Sequence, residues 1–254
     1  MVSRATFAVA TLLLAAMPTV AGATGIVQTG DQVKILSNQS GVHAGPFQID
    51  DLTNPKVATF PSFCIEYSET ILINGTYFAK LADVAVGGGR SRFDPVANAL
   101  VGNAGEDPLS VGTAYLYRQF LDGTLAGYSG DAASRDGLQL AFWRLEGEAG
   151  LLGGNYVLLN SNGLANGAVV PGSNAASVAK ANQFYADAID PLGKGTYASY
   201  DVRVMQLWAN YNQSTQVYGG ARQDQIVSVR ASVPEPISTF SALLLGVSAL
   251  GLAR

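Results

Sequence analysis

The sequence predicts an α+β domain: mostly antiparallel β-structure, a sandwich or barrel, with a helical insertion. Three observations predict it. Short strand-like runs with an Asn-Gly turn come first, three segments of helical periodicity follow, and strands return at the end. Strands and helices grouped in this way, rather than alternating, indicate α+β.

The first strands are expected at Val33 to Leu36 and Val57 to Phe60. Between them lies a stretch rich in turn residues, with Gly41, Gly45, Pro46 and Pro55. Phe63 to Ile73 and Thr76 to Leu81 flank Asn74-Gly75 and read as a hairpin, because the preferred two-residue turn needs positive φ at both central positions. Gly87-Gly88-Gly89 ends this half. Residues 108 to 121 space Val111, Tyr115, Leu116 and Phe120 as a helix. Residues 131 to 147 place Leu138, Ala141, Phe142 and Leu145 on one apolar face. Residues 173 to 189 repeat the pattern with Val178, Ala181, Tyr185 and Ala188, and Ser173 is the expected N-cap. The glycine-rich residues 150 to 172 read as a loop. Strands return at Tyr200 to Ala209 and Gln225 to Arg230, about a turn at 210 to 220.

Both ends of the chain read as processing segments, which leaves residues 24–232 as one domain. Arg4, the apolar run Phe7 to Met17, and Ala21-Gly22-Ala23 form the basic, hydrophobic and small-residue regions of a secretory signal over residues 1–23. The chain is therefore expected to be exported. At the other end, Val233-Pro234-Glu235-Pro236 precedes 17 uncharged residues, Ile237 to Ala253, and a terminal Arg254. At about 1.5 Å per residue this run spans roughly 25 Å, the short end of what crosses a bilayer. It has no amphipathic period, and Pro236 separates it from the preceding chain, so it reads as a membrane segment and not a core helix.

Pro234, Glu235, Pro236 and Arg254 resemble the PEP-CTERM sorting signal of Gram-negative bacteria that make extracellular polysaccharide. The resemblance covers residues 233–254. It implies an exosortase-type sorting protease as a partner, at least transient anchoring in the inner membrane, and a final place at the cell surface or in the extracellular matrix.

Composition narrows the classes further. The chain carries a formal net charge of −4 and only 13% charged residues, which argues against nucleic acid as a partner. His43 is the only histidine, and it has neither a cysteine-rich nor a carboxylate-rich neighbourhood, so no metal site is expected. Asp50-Asp51, Glu106-Asp107 and Asp131/Asp136 lack the spacing of a calcium loop and read as solvated turns or helix N-terminal charges. Glu146 and Glu148 are too close in sequence to be an acid/base pair. No cofactor motif is present.

A single cysteine in an exported protein excludes an internal disulfide. Cys64 is therefore buried and inert, paired with another chain, or chemically occupied. Its surroundings are Phe63-Cys64-Ile65-Glu66, and around one glutamine the sequence reads Leu138-Gln139-Leu140-Ala141-Phe142-Trp143. Together these resemble the thioester (TQXA-type) domains of bacterial surface adhesins. Cys64, Ile65 and Glu66 match the strand motif of that family, and Gln139, Ala141 and Trp143 match its helix motif. Leu138 stands where the family often has Thr, and Phe142 replaces an aliphatic residue.

The resemblance implies a bond between Cys64 and Gln139, the sulfur acylated by the carboxamide with loss of ammonia. Such a bond would attach the protein to an amine-bearing surface protein or exopolysaccharide in a stoichiometric reaction, so no enzyme is implied. The residue chemistry is compatible. A thiolate is a strong nucleophile and a carboxamide a poor electrophile, so the two must be held together with the carbonyl polarised. Strand alternation sets Cys64, Glu66 and Ser68 on the more polar face, opposite Phe63, Ile65 and Tyr67. Trp143, one turn beyond Gln139, is placed to keep water away, and Glu66 to hydrogen-bond nearby or take a proton from the amine.

The same residues also suit a plain core, because free cysteine is among the most buried residue types. The alternative is then a non-covalent structural or carbohydrate-binding component of a biofilm matrix. It would meet sugars through aromatics such as Tyr115, Tyr117 and Trp208, with Cys64 as a buried free thiol.

Overall fold

The computed structural model describes residues 27–38, 45–55, 58–86, 92–94, 99–101, 106–159, 164–189 and 200–229. The expected signal, the sorting tail, His43, Gly41 and Gly87-Gly88-Gly89 lie outside these residues. The described chain is α+β with antiparallel sheets. In order it forms β1 (Gln32–Asn38), β2 (Phe47–Asp51), β3 (Phe60–Ser62), β4 (Thr76–Ala82), β5 (Val84–Val86), β6 (Arg92–Asp94), β7 (Ala99–Val101) and β8 (Glu106–Pro108). There follow α1 (Val111–Leu121), α2 (Ala132–Leu145), β9 (Ala149–Leu152), β10 (Asn155–Leu159), β11 (Ala165–Val169), α3 (Ala175–Ile189), β12 (Val202–Asn212) and β13 (Val217–Ser228). No helix among the described residues is long and apolar enough to cross a membrane.

The main sheet has the order β13-β12-β4-β1-β2-β3, and every neighbouring pair is antiparallel. Its two edges then meet. Just past β3, Cys64 bridges Gln225 of β13, with Ile65 N–H donating to the Asp224 carbonyl (3.0 Å) and Ile226 N–H to the Phe63 carbonyl (3.0 Å). This single bridge closes the sheet into a barrel at one end and covers the edges of β3 and β13 there.

Two apolar clusters fill the domain. One gathers Val33, Ile35, Ile49, Cys64, Ala79, Met205 and Leu207 from the barrel strands, with Leu140 and Trp143 of α2. The other packs Phe63, Ile65, Val204 and Ile226 against Leu116 and Tyr117 of α1, Leu138 and Phe142 of α2, and Phe184 of α3. Helix α2 contributes to both, which carries Gln139 between them.

The helices begin where local chemistry starts them. Ser110 caps α1 by accepting from Thr113 N–H (3.0 Å), and Asp131 caps α2 by accepting from Ser134 N–H (2.7 Å). For α3 the cap is not Ser173. Asn174 Oδ1 accepts from Ala176 and Ser177 N–H (both 3.1 Å), while the Ser173 hydroxyl is taken by Tyr156 N–H of β10 (2.8 Å).

Three other sequence expectations change. Phe63 to Ile73 is not a strand paired with β4; β4 lies between β1 and β12. The backbone of this run is satisfied by scattered partners: Ile65 by Asp224, Tyr67 by the Glu148 carboxylate (3.3 Å), Leu72 by Tyr77 Oη (2.8 Å). Asn74 does adopt the positive φ expected of a turn (66°), but the turn folds back on β1, with Asn74 N–H donating to the Ile35 carbonyl. Residues 150 to 172 hold a three-stranded sheet, order β11-β10-β9, in place of a loop. Gly153 and Gly154 have φ of 59° and 82°, the backbone that a two-residue hairpin turn requires. Strand β2 falls in the stretch read as turns.

Candidate functional site

The strand motif and the helix motif meet although 75 residues separate them. Gln139 Nε2 donates to the Cys64 carbonyl (2.7 Å), and Gln139 Oε1 accepts from Cys64 N–H (3.1 Å). The reason lies in the barrel closure. Cys64 and Gln225 form the narrow type of antiparallel pair, in which the hydrogen bonds are made by the flanking residues. The N–H and C=O of Cys64 therefore point away from β13, at the place where β2 no longer covers β3. A primary amide has the same donor and acceptor as a peptide group, and Gln139 occupies the missing strand's position. Both residues are buried, Gln139 at 0% and Cys64 at 1% exposure.

A second backbone donor reaches the same oxygen. Gly45 N–H lies 3.4 Å from Gln139 Oε1. Two N–H groups thus converge on the carbonyl oxygen of the amide. Negative charge would develop on that oxygen if a nucleophile attacked the carbon, and such donors polarise the carbonyl in advance. A side chain at Gly45 has no room, since a Cβ there would come within 2.6 Å of the Phe63 ring and 2.9 Å of the Ser62 carbonyl.

The thiol is held from the other side. Gln225 Nε2 lies 3.3 Å from Cys64 Sγ, and Gln225 itself is fully buried. The sequence placed Cys64 on a polar face; the structure places it in the apolar cluster of the barrel strands. Alternation holds for Phe63 and Ile65 against Cys64, but both faces are buried, because helices cover the outer one. Burial pushes the Cys64 thiol well above its usual range, opposed by the Gln225 hydrogen bond and reinforced by the charge of Glu69.

The supporting residues divide. Trp143 is buried, and its ring meets Tyr67 edge to face at 5.1 Å, so the two close one side of the site. Ala141 packs in the second cluster with Phe63 and Phe142, away from the barrel-side residues. Glu66 is buried, and its carboxyl joins a group of acids with Glu69 and Asp224. Its backbone carbonyl accepts from Gln223 Nε2 (2.8 Å). Asp224 accepts from Val86 N–H (2.7 Å) and Leu207 N–H (3.3 Å), and Asp224 N–H donates to Glu69 (3.3 Å). Glu146 holds the Ser110 hydroxyl (2.7 Å) and so ties the start of α1 to the end of α2. Among the described residues no group of three or more His, Cys, Asp or Glu is placed to hold a metal ion.

This acid group gives the domain a defined pH response. Burial pushes Glu69 up to about 7, opposed by its hydrogen bonds with Asp224 N–H and Glu66 and reinforced by the charge of Glu148. Burial also pushes Asp224 well above the carboxylate range, the charges of Glu66 and Glu69 adding to it. The folded state then binds protons that the unfolded state releases, so this contribution to stability is complete below the ordinary Glu value of 4.5 and falls as pH rises through about 7. Melting temperature is expected to drop between pH 5 and pH 8, and Glu69→Gln to flatten the drop. An identical slope in the variant would remove Glu69 from the cause.

Of the aromatics considered for sugars, Tyr117 is buried and donates to the Pro61 carbonyl (2.7 Å), so it offers no surface. Tyr115 packs half-buried against Tyr200. Trp208 does lie half-exposed on β12, in a group the sequence did not single out: Tyr211 and Tyr218 stack at 4.4 Å, with Trp208 5.8 Å from Tyr218 and Phe78 5.7 Å from Tyr211.

Gly45, Ser62, Glu69, Asp224 and Gln225 also escaped sequence reasoning as site residues. Asp224 and Gln225 are brought to Cys64 by the closing bridge and Gly45 by the pairing of β2 with β3, which no local pattern encodes. Ser62 and Glu69, by contrast, lie two and five residues from Cys64 in the chain. Comparison with known proteins finds no matching family model, no similar curated protein and no similar solved structure.

Proposed function

We propose that this is an exported surface or matrix protein that attaches covalently to amine-bearing partners through an internal thioester between Cys64 and Gln139. One observation carries the reading: the Gln139 amide lies on the backbone of Cys64, with its carbonyl oxygen between the N–H groups of Cys64 and Gly45. The Cys64 sulfur adds to the Gln139 Cδ, and the two N–H groups hold the oxygen as it gains charge. The C–Nε2 bond then breaks, and the nitrogen leaves as ammonia with the thiol proton. A lysine of a surface protein or an amino sugar of an exopolysaccharide later attacks the same carbon, forming an amide and returning Cys64 to the thiol. Burial by Trp143 and Tyr67 protects the bond from water until then.

Export by the N-terminal signal, sorting by an exosortase-type protease and membrane anchoring through the C-terminal segment belong to the same proposal. They rest on residues 1–23 and on Pro234, Glu235, Pro236 and Arg254.

Intact mass tests the bond. Allowing for the substitution itself, the wild-type protein should be lighter than Cys64→Ala by one ammonia, and methylamine should convert it to an adduct. A wild-type mass with no deficit and a titratable thiol would sink the proposal.

The second reading is a non-covalent, carbohydrate-binding matrix component. The aromatic group on β4, β12 and β13 favours it, since Trp208, Tyr211 and Tyr218 offer ring surface beside Lys80, whose ammonium lies 5.8 Å from the Tyr218 ring. Under this reading Trp208→Ala abolishes retention on exopolysaccharide while leaving the mass untouched. Retention equal to wild type would end it.

A further inference from the structure

The residues around Cys64 Sγ decide how a thioester there would release its sulfur. The site is buried, and among the charges that act on Cys64 the one identified is the carboxyl of Glu69, which opposes negative charge on the sulfur. A sulfur expelled into such a place needs a hydrogen-bond donor. Gln225 supplies one. The narrow pairing of Cys64 with Gln225 sets their side chains close together on one face, and Gln225 Nε2 lies 3.3 Å from Sγ.

The far end of this carboxamide is fixed as well. Gln225 Oε1 lies 3.2 Å from Ser62 Oγ, and Ser62 Oγ lies 2.6 Å from the Ile226 carbonyl. The single hydroxyl proton goes to the nearer acceptor, Ile226. The hydroxyl lone pairs are then free to accept from a carboxamide N–H. Gln225 therefore fits the site in two orientations. With Nε2 toward the sulfur it donates to a thioester sulfur or a thiolate. With Oε1 toward the sulfur it accepts from a thiol S–H, and its Nε2 donates to Ser62.

We propose that Gln225 is a catalytic residue of the thioester reaction, the donor that holds the departing sulfur, with Ser62 as the positioning residue behind it. This rests on the thioester reading above. As the amine nitrogen bonds to the Gln139 Cδ, the C–S bond breaks and its electron pair goes to Sγ. Gln225 Nε2–H holds that charge. The proton lost by the amine ends on the sulfur, and the carboxamide turns to accept the new S–H.

The test uses the full chain, with methylamine as the amine and intact mass followed over time. Gln225→Met keeps the volume and removes the donor; it should form adduct roughly tenfold to a hundredfold more slowly than wild type. Gln225→Glu keeps the shape and donates only when protonated, so its rate should fall with rising pH where the wild-type rate does not. Glu69, the other carboxyl acting on Cys64, is replaced by Gln in both proteins of that comparison. If Gln225→Met reacts at the wild-type rate, or Gln225→Glu follows the wild-type pH profile, Gln225 has no such role even though the thioester exists. If Gln225→Met does not fold, the pH profile of Gln225→Glu decides alone. If the wild-type protein shows no ammonia deficit, the thioester reading fails and this proposal with it.

Discussion

Replacing Gln139 with Leu is expected to cost about 2–6 kcal/mol of stability, a fall in melting temperature of roughly 5–20 °C for a domain of this size. The cause is backbone accounting and not side-chain volume, which the substitution largely keeps. Gln139 is the partner of both the N–H and the C=O of Cys64, and all these groups are buried. Removing it orphans one donor and one acceptor in a place where water does not substitute, at about 1–3 kcal/mol each. Gly45 N–H loses its contact with Oε1 as well. Thermal unfolding with and without the substitution measures this. A shift under 2 °C would mean that Cys64 finds other backbone partners and that the amide is not structurally required. The comparison is made in a Cys64→Ala background, which keeps the backbone and the whole Gln139 amide, because a thioester would itself remove Nε2 and its bond to the Cys64 carbonyl.

Gly45→Ala is the second large effect. The added methyl group would meet the Ser62 carbonyl at 2.9 Å and the Phe63 ring at 2.6 Å. Neither can retreat easily. Ser62 is strand backbone paired with Phe47 of β2, and the Phe63 ring is held edge to face by Tyr117, Phe120 and Phe142. Overpacking of this kind costs about 1–3 kcal/mol. It also pushes Gly45 N–H off Gln139 Oε1, where the bond is already long at 3.4 Å. The variant should therefore fold less stably and, under the thioester reading, acquire its ammonia deficit more slowly than wild type. A variant with wild-type stability would show that the loop before β2 shifts freely, and the second donor would then be incidental.

How much of this was legible in the sequence differs by element. The spans of α1 and α2 were readable, and Asp131 as a charge at a helix start, since 3.6-residue periodicity and helix-end charges act within a few residues, while the Ser110 cap went unread. The hairpin of β9 and β10 was also written locally, in Leu151-Leu152-Gly153-Gly154-Asn155, but glycine content suggested a loop. Ser173 failed as a cap for a non-local reason, because Tyr156 from another element claimed its hydroxyl. Phe63 to Ile73 failed likewise: its run of strand-forming residues meets partners in β13, Glu148 and Tyr77, and no regular strand remains. The polar-face argument for Cys64 misjudged burial, because alternation separates two faces but does not say whether helices cover the second.

The pairing of Cys64 with Gln139 is what the resemblance to thioester domains implies; the sequence by itself determined the α+β class and the helices α1, α2 and α3. Those follow from composition, periodicity and residue type, all of which act locally or are properties of single side chains. Only the tertiary structure decided what surrounds the pair. Closing the barrel at Cys64 and Gln225 turns the Cys64 N–H and C=O toward Gln139, sets Gln225 on the sulfur, and leads Gly45 to the amide oxygen. Strand register across a closed sheet is a long-range agreement among segments far apart in the chain, and no stretch of sequence near any one of these residues contains it.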